Sequence, residues 1–317
     1  MTFYRDKIAM FYDERMCPPD VDSVSKSPTK PRRFMEYLGR QRLLRYLDMR
    51  TVERVTFEQL RYAHTAKYIH AVLEGVVRNG AESNCIGWTR RFAESVMWTN
   101  GSLVTAVRAA LAEPATIAMS PTSGFHHATP TAGSGFCTFS GQVIAAVDVF
   151  KSSGKRGAWI DLDGHYGNSI PDSWHLPHVK EALPWNINPA GGGLDYLTSL
   201  SDQLGELGKD VRTGGVDYVC MAHGADSHEW DDLGGQVTTG EWLTASDIVY
   251  SHVDSWSRDL GRPVPLVLTL FGGYRDDDPD SVLGLHAMDL VIAYRTLTGL
   301  PLAFTADIRR PRGRPRR

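Results

Sequence analysis

Apolar residues along this chain recur at two different spacings. Stretches with apolar positions three or four residues apart alternate with short, nearly continuous apolar runs. The first spacing predicts amphipathic helices and the second predicts buried strands. Thr56-Phe57-Glu58-Gln59 has the form of a capping box and opens a helical stretch over 56–73. Further helices are expected at 102–111, 142–150, 194–207, from the capping box 238–241 to about 256, and at 279–297. Strands are expected at 115–119, at 157–162 (GAWIDL), at 216–221 and at 264–270 (VPLVLTL). Strands separated by helices predict βαβ units, and so an α/β fold with a parallel sheet covered on both faces. No repeat or linker divides the chain. The expectation is one domain over 1–308, with irregular loops at 18–33 and 169–193 and a basic, flexible tail at 309–317.

Composition narrows the class. The chain has 317 residues, 42% of them hydrophobic, and a formal net charge of −3. That charge is an average over unlike parts. Residues 309–317 hold six arginines and no acid, so their six positive charges, taken from −3, leave −9 for the rest. An acidic body argues against a broad nucleic-acid-binding face and leaves only the tail for that purpose. No apolar run reaches the ~20 residues of a membrane span, and the charged N-terminus is unlike a secretory signal. Cys17, Cys85, Cys137 and Cys220 are dispersed, as expected of reduced thiols in a cytoplasmic protein.

In an open parallel sheet, ligands bind beyond the carboxyl ends of the strands. Past the run ending at Met119 come His126 and His127. GAWIDL leads into Asp161, Asp163 and His165. The run ending at Met221 leads into His223 and Asp226, and the last leads into Gly272-Gly273-Tyr274. Four histidines, three aspartates and a tyrosine are thereby directed to one rim. Asp163 and His165, two apart in an extended segment, point the same way and can share one metal ion with Asp226. One imidazole and two carboxylates with an open position suit Zn²⁺ or Fe²⁺ acting as a Lewis acid. Adjacent histidines suit a general base and an electrostatic partner, and Tyr274 suits a donor to a developing oxyanion. Each feature alone also fits a bland reading: a loop cap, an exposed histidine pair, a rim tyrosine.

Several stretches resemble, in order, motifs of the zinc-dependent histone deacetylase family, which includes acetylpolyamine amidohydrolases and acetoin-utilisation-type proteins. They are His64 to Ile69, Gly124-Phe125-His126-His127-Ala128 with Gly135-Phe136-Cys137, Asp161 to Asn168, Gly224 to Gly235, and Phe271-Gly272-Gly273-Tyr274. A looser match lies at Ser27 to Arg33. The resemblance implies an arginase/deacetylase fold and hydrolysis of an N-acyl amine such as acetyl-lysine or an acetylpolyamine. It implies Asp163, His165 and Asp226 as zinc ligands, and His127 as base beside His126. Asp161 would orient His126 and Asn168 would orient His127. Tyr274 would stabilise the oxyanion, and Gly135 and Phe136 would line the acyl-chain tunnel.

Departures are equally legible. Phe271 stands where the family has Glu, and Tyr166 follows the ligand histidine where the family has a second His. The segment 169–193 is short. Ser173-Trp174-His175 is read as a relic of the family's Ser-x-His strand, or else Trp174 or Trp185 replaces the second tunnel wall. The structural monovalent cation built partly from that serine is accordingly in question. Pro311-Arg312-Gly313-Arg314-Pro315 resembles an AT-hook, for weak DNA contact through Arg309 to Arg317, against a plain solvated tail. Two further readings are a catalytically silent binding protein, tethered to DNA by that tail, and a two-metal arginase-like hydrolase.

Overall fold

The structure is a computed structural model that describes residues 2–19, 21, 23 and 25–311. The chain enters through β1 (Ile8–Met10), α1 (Lys30–Arg40) and β2 (Leu47–Met49). Then come α2 (Phe57–Leu60), α3 (Ala66–Glu74), the long α4 (Arg90–Ala112), β3 (Ile117–Met119), α5 (Gly141–Ser153) and β4 (Gly157–Asp161). Two short helices, α6 (Ser169–Ser173) and α7 (Val179–Ala182), lead to β5 (Trp185–Ile187) and α8 (Gly193–Thr213). The described residues end with β6 (Tyr218–Ala222), α9 (Thr239–Leu260), β7 (Leu266–Thr269), α10 (Pro279–Thr298) and an irregular segment to Pro311.

All strand pairings are parallel, in the order β2-β1-β3-β7-β6-β4-β5. Every residue of β4, β6 and β7 is buried, because alternate side chains enter two different cores. Ala158, Ile160, Val219, Met221, Leu266 and Leu268 face the helices α8, α9 and α10. Trp159, Tyr218, Cys220 and Val267 face α4 and α5. Full burial of a side chain of this size contributes about 1.5–3 kcal/mol. The continuous apolar runs in the sequence are the imprint of this two-sided burial.

Both anticipated capping boxes form, at Thr56 with Gln59 and at Thr238 with Glu241. The helix expected over 56–73 breaks in two at 61–65, because the chain turns there to bury His64 and restarts on a Thr65 cap. The loop expected at 18–33 gives way to α1 from Lys30 onward, and the loop at 169–193 contains α6, α7 and β5. Ser173-Trp174-His175 is not a remnant strand. Ser173 ends α6, and the strand beside β4 is β5, with Asn186 at its centre and no serine. Neither tryptophan serves as a wall at the rim. Trp174 Nε1 donates to the Leu183 carbonyl, and Trp185 Nε1 donates to Asp210 on α8.

Candidate active site

Four adjacent strands, β3, β7, β6 and β4, end at the same rim, and their following loops carry the candidate residues. Asp163 and His165 lie just past β4, and Asp226 lies in a 3₁₀ turn just past β6. His165 Nδ1 is 2.8 Å from Asp226 Oδ2 and 3.2 Å from Asp163 Oδ1. One donor atom from each of the three residues lies within 4.8 Å of the other two, the spacing of a shared ion. Backbone amides fix both carboxylates: Gly164 N–H donates to Asp226 Oδ1 at 3.0 Å and Gly272 N–H donates to Asp163 Oδ2 at 2.8 Å. Gly272 is required by this approach, since a Cβ there would lie 2.4 Å from the Asp226 carboxylate.

The histidine pair sits on the loop after β3, with ring centroids 4.0 Å apart. His126 Nδ1 is 2.9 Å from Asp161 Oδ2, and its Nε2 is 3.7 Å from Asp163 Oδ1. His127 Nδ1 is 2.9 Å from Asn168 Oδ1. Tyr274 closes the arrangement from β7: its ring lies 6.3 Å from His165 and 5.7 Å from Phe136. The Tyr274 amide donates to Asp231 Oδ2 at 2.7 Å. Gly135 passes so close beneath His127 that an added Cβ would be 2.5 Å from the imidazole Cδ2.

These contacts push the titrations apart. Burial alone would depress His126, but Asp161 and Asp163 outweigh it and raise the imidazole to about 9. Burial and the charge on His126 push His127 down to about 4. Hydrogen bonds to Asp163 and Asp226 raise His165 to about 10. Burial and the neighbouring Asp163 raise Asp226 to about 7. Burial would also raise Asp163, yet His126, the His165 hydrogen bond and the Gly272 amide hold it below the ordinary carboxylate range. A proton on His165 between two carboxylates is what a divalent cation bound by the same atoms would replace. The donor set therefore fits a divalent metal. Burial, with Asp163 and Asp226 next, keeps the Tyr274 hydroxyl protonated.

Some expectations end elsewhere. His223 does not join the rim. Its ring stacks on Trp242 at 3.6 Å, and its Nδ1 is 3.0 Å from Ser246 Oγ, on the α9 side. Tyr166 is 63% exposed and outside the donor group. Phe271 is buried between Phe125, Trp159 and His126, an apolar floor that a Glu would charge. Sequence reasoning missed Lys30. Its buried ammonium donates to the Phe271 carbonyl, and burial lowers it to about 8 against the opposing fields of Asp226, Asp163 and Asp231. The loose match at Ser27 to Arg33 contains it, but nothing in that stretch shows that the side chain is buried against Phe271.

A family model described as the histone deacetylase domain matches residues 25–175, which carry the histidine pair, Asp161, Asp163, His165 and Asn168. The chain is 24% identical to histone deacetylase 8 of Arabidopsis thaliana over 274 residues, 74% of this chain and 72% of that protein. It is 30% identical to the acetoin utilization protein AcuC of Staphylococcus aureus over 91 residues, 29% of this chain and 22% of that protein. The solved structure of the HDA15 HD domain superposes with a TM-score of 0.69 at 16% identity, covering 93% of this chain and 90% of that one.

Proposed function

We propose that the chain, similar in sequence to histone deacetylases, is a member of that family and a metal-dependent amidohydrolase removing an acetyl or other acyl group from an amine. The observation that carries this reading is the convergence of Asp163, His165 and Asp226 with His127 and Tyr274 at one rim. A divalent cation such as Zn²⁺ or Fe²⁺, held by the triad, supplies Lewis acidity towards water and the acyl carbonyl.

The chain's own residues do the rest. His127 donates its Nδ1–H to Asn168, which leaves Nε2 free to accept a proton as water adds to the acyl carbon. His126, held by Asp161, supplies a positive field beside the developing charge. Tyr274 donates its O–H to the tetrahedral oxyanion. When the C–N bond breaks, the proton on His127 passes to the leaving amine, releasing a carboxylate and an amine. Gly135 and Phe136 form one wall for the acyl-bearing chain.

Among the described residues a single three-donor group is present, which favours one metal over the two-metal arginase-like reading. The silent-binder reading has no support, since every candidate residue is retained. The DNA-contact reading rests mostly on Arg312 to Arg317, which lie outside the described residues. Among the described residues no helix is long and apolar enough to cross a membrane. The deciding experiment measures carboxylate release from acetyl-lysine peptides, acetylpolyamines and small N-acyl amines, with and without a hydroxamate. Release blocked by hydroxamate supports the reading, and no release from any of them defeats it.

A further inference from the structure

Arg275 follows Tyr274 directly, and its side chain is only 3% exposed. Its Nε and Nη2 donate to the two oxygens of Asp277 at 2.7 and 3.1 Å, and its Nη1 donates to the backbone carbonyl of Arg309. The Trp230 ring lies 5.9 Å from the guanidinium carbon. Arg309 is held from the other side as well: its N–H donates to Ser281 Oγ at 3.1 Å, and that hydroxyl donates to Asp278, which caps α10. Phe304 and Ile308 pack onto the core just before it. The C-terminal segment is thus fastened at Arg309 both to α10 and to the residue next to Tyr274.

Tyr274 needs such a fastening. Its ring is set among Phe136, His165 and the Lys30 ammonium at 5.7–6.3 Å, none of which fixes its direction by a hydrogen bond. Its aim is set by the backbone of 273–276 instead. There the Tyr274 and Asp276 amides donate to Asp231 and Asp232, and Gly273 has φ +129°. Arg275 ties the same stretch from the opposite side. A buried guanidinium is costly unless its fork is satisfied, and a lysine cannot reproduce the fork.

We propose that Arg275 is a positioning residue for Tyr274, and that the C-terminal segment through Arg309 is a structural part of the catalytic loop. The proposal rests on the hydrolase reading above. The test compares full-length wild type, Arg275→Lys, Arg275→Gln, Ser281→Ala and Tyr274→Phe. For each, kcat and KM on an acetylated amine, metal content, melting temperature and hydrogen exchange at 270–278 and 303–311 are measured. The expected result is a kcat lowered about 10- to 100-fold in Arg275→Gln, with KM within about threefold and metal content unchanged. Exchange should quicken in both segments together, and Arg275→Lys and Ser281→Ala should show smaller effects in the same direction. If wild type releases no carboxylate, the hydrolase reading falls and takes this proposal with it; if Tyr274→Phe matches an active wild type, Tyr274 has no catalytic part and only this proposal falls. If Tyr274→Phe is inactive while both Arg275 variants keep wild-type kcat, only this proposal falls. It falls too if kcat drops only in step with metal content or melting temperature. Should Arg275→Gln fail to fold, Arg275→Lys and Ser281→Ala decide by the same criteria.

Discussion

His127 Nδ1 and Asn168 Oδ1 are 2.9 Å apart, and because the amide oxygen can only accept, the imidazole proton is placed on Nδ1. The basic lone pair is therefore on Nε2. His127→Ala should lower kcat by about 10²–10⁴-fold with metal content retained. Asn168→Asp, which trades a neutral partner for a charged one, should raise the imidazole pKa and move the acid limb of the kcat profile to higher pH. A pH–rate profile and elemental analysis check both.

Asp163 and Asp226 meet His165 in one donor group, so the ion should depend on each of them. Wild type is expected to hold close to one metal ion per chain, and Asp163→Ala and Asp226→Ala to hold little. A chelator should lower the melting temperature of wild type and leave these variants unmoved, because an ion bound only to the folded state stabilises it. Differential scanning calorimetry with and without chelator reads the difference.

Gly135 has φ +49°, and a Cβ there would strike His127. Gly135→Ala is expected to lose at least about tenfold in kcat, the scale of a small misplacement of a catalytic group. Its metal content should stay that of wild type.

His64 links folding to pH. Its Nδ1–H donates to the Thr129 carbonyl at 2.9 Å, its Nε2 accepts from Ser140 N–H at 2.8 Å, and burial lowers it to about 3. The unfolded chain takes up this proton near pH 6.5 and the folded chain only near 3, so stability is complete above about 6.5 and falls as the pH drops through that window. The loss is about 1.4 kcal/mol per pH unit for this one group. His64→Gln should be less stable at pH 7 but should show a flatter decline between pH 6.5 and 4, followed by urea unfolding at each pH.

How much of this was readable beforehand follows from where each signal resides. β4, β6 and β7 are buried on both faces and stand out as apolar runs, and the residues just after them include the candidate ligands and Tyr274. β2 and β5 have three residues each and partly exposed patterns, Leu47-Asp48-Met49 at one sheet edge and Trp185-Asn186-Ile187 at the other, so nothing local announces a strand. The position of His223 after an apolar run points to the rim, but its ring turns onto Trp242. Lys30 and Arg275 act through partners distant in sequence, Phe271 and Arg309, and a buried charge leaves no periodic trace.

The sheet order has a consequence for how the molecule comes together. β7 is the last strand in the chain, yet it lies between β3 and β6 in the middle of the sheet. Before Leu266–Thr269 docks, the sheet is two separate three-stranded pieces, β2-β1-β3 and β6-β4-β5, each with one unpaired inner edge. The histidine pair belongs to the first piece and the candidate metal ligands to the second. In the folded molecule this central strand joins the piece that carries His126 and His127 to the piece that carries Asp163, His165 and Asp226, and Tyr274 follows it directly.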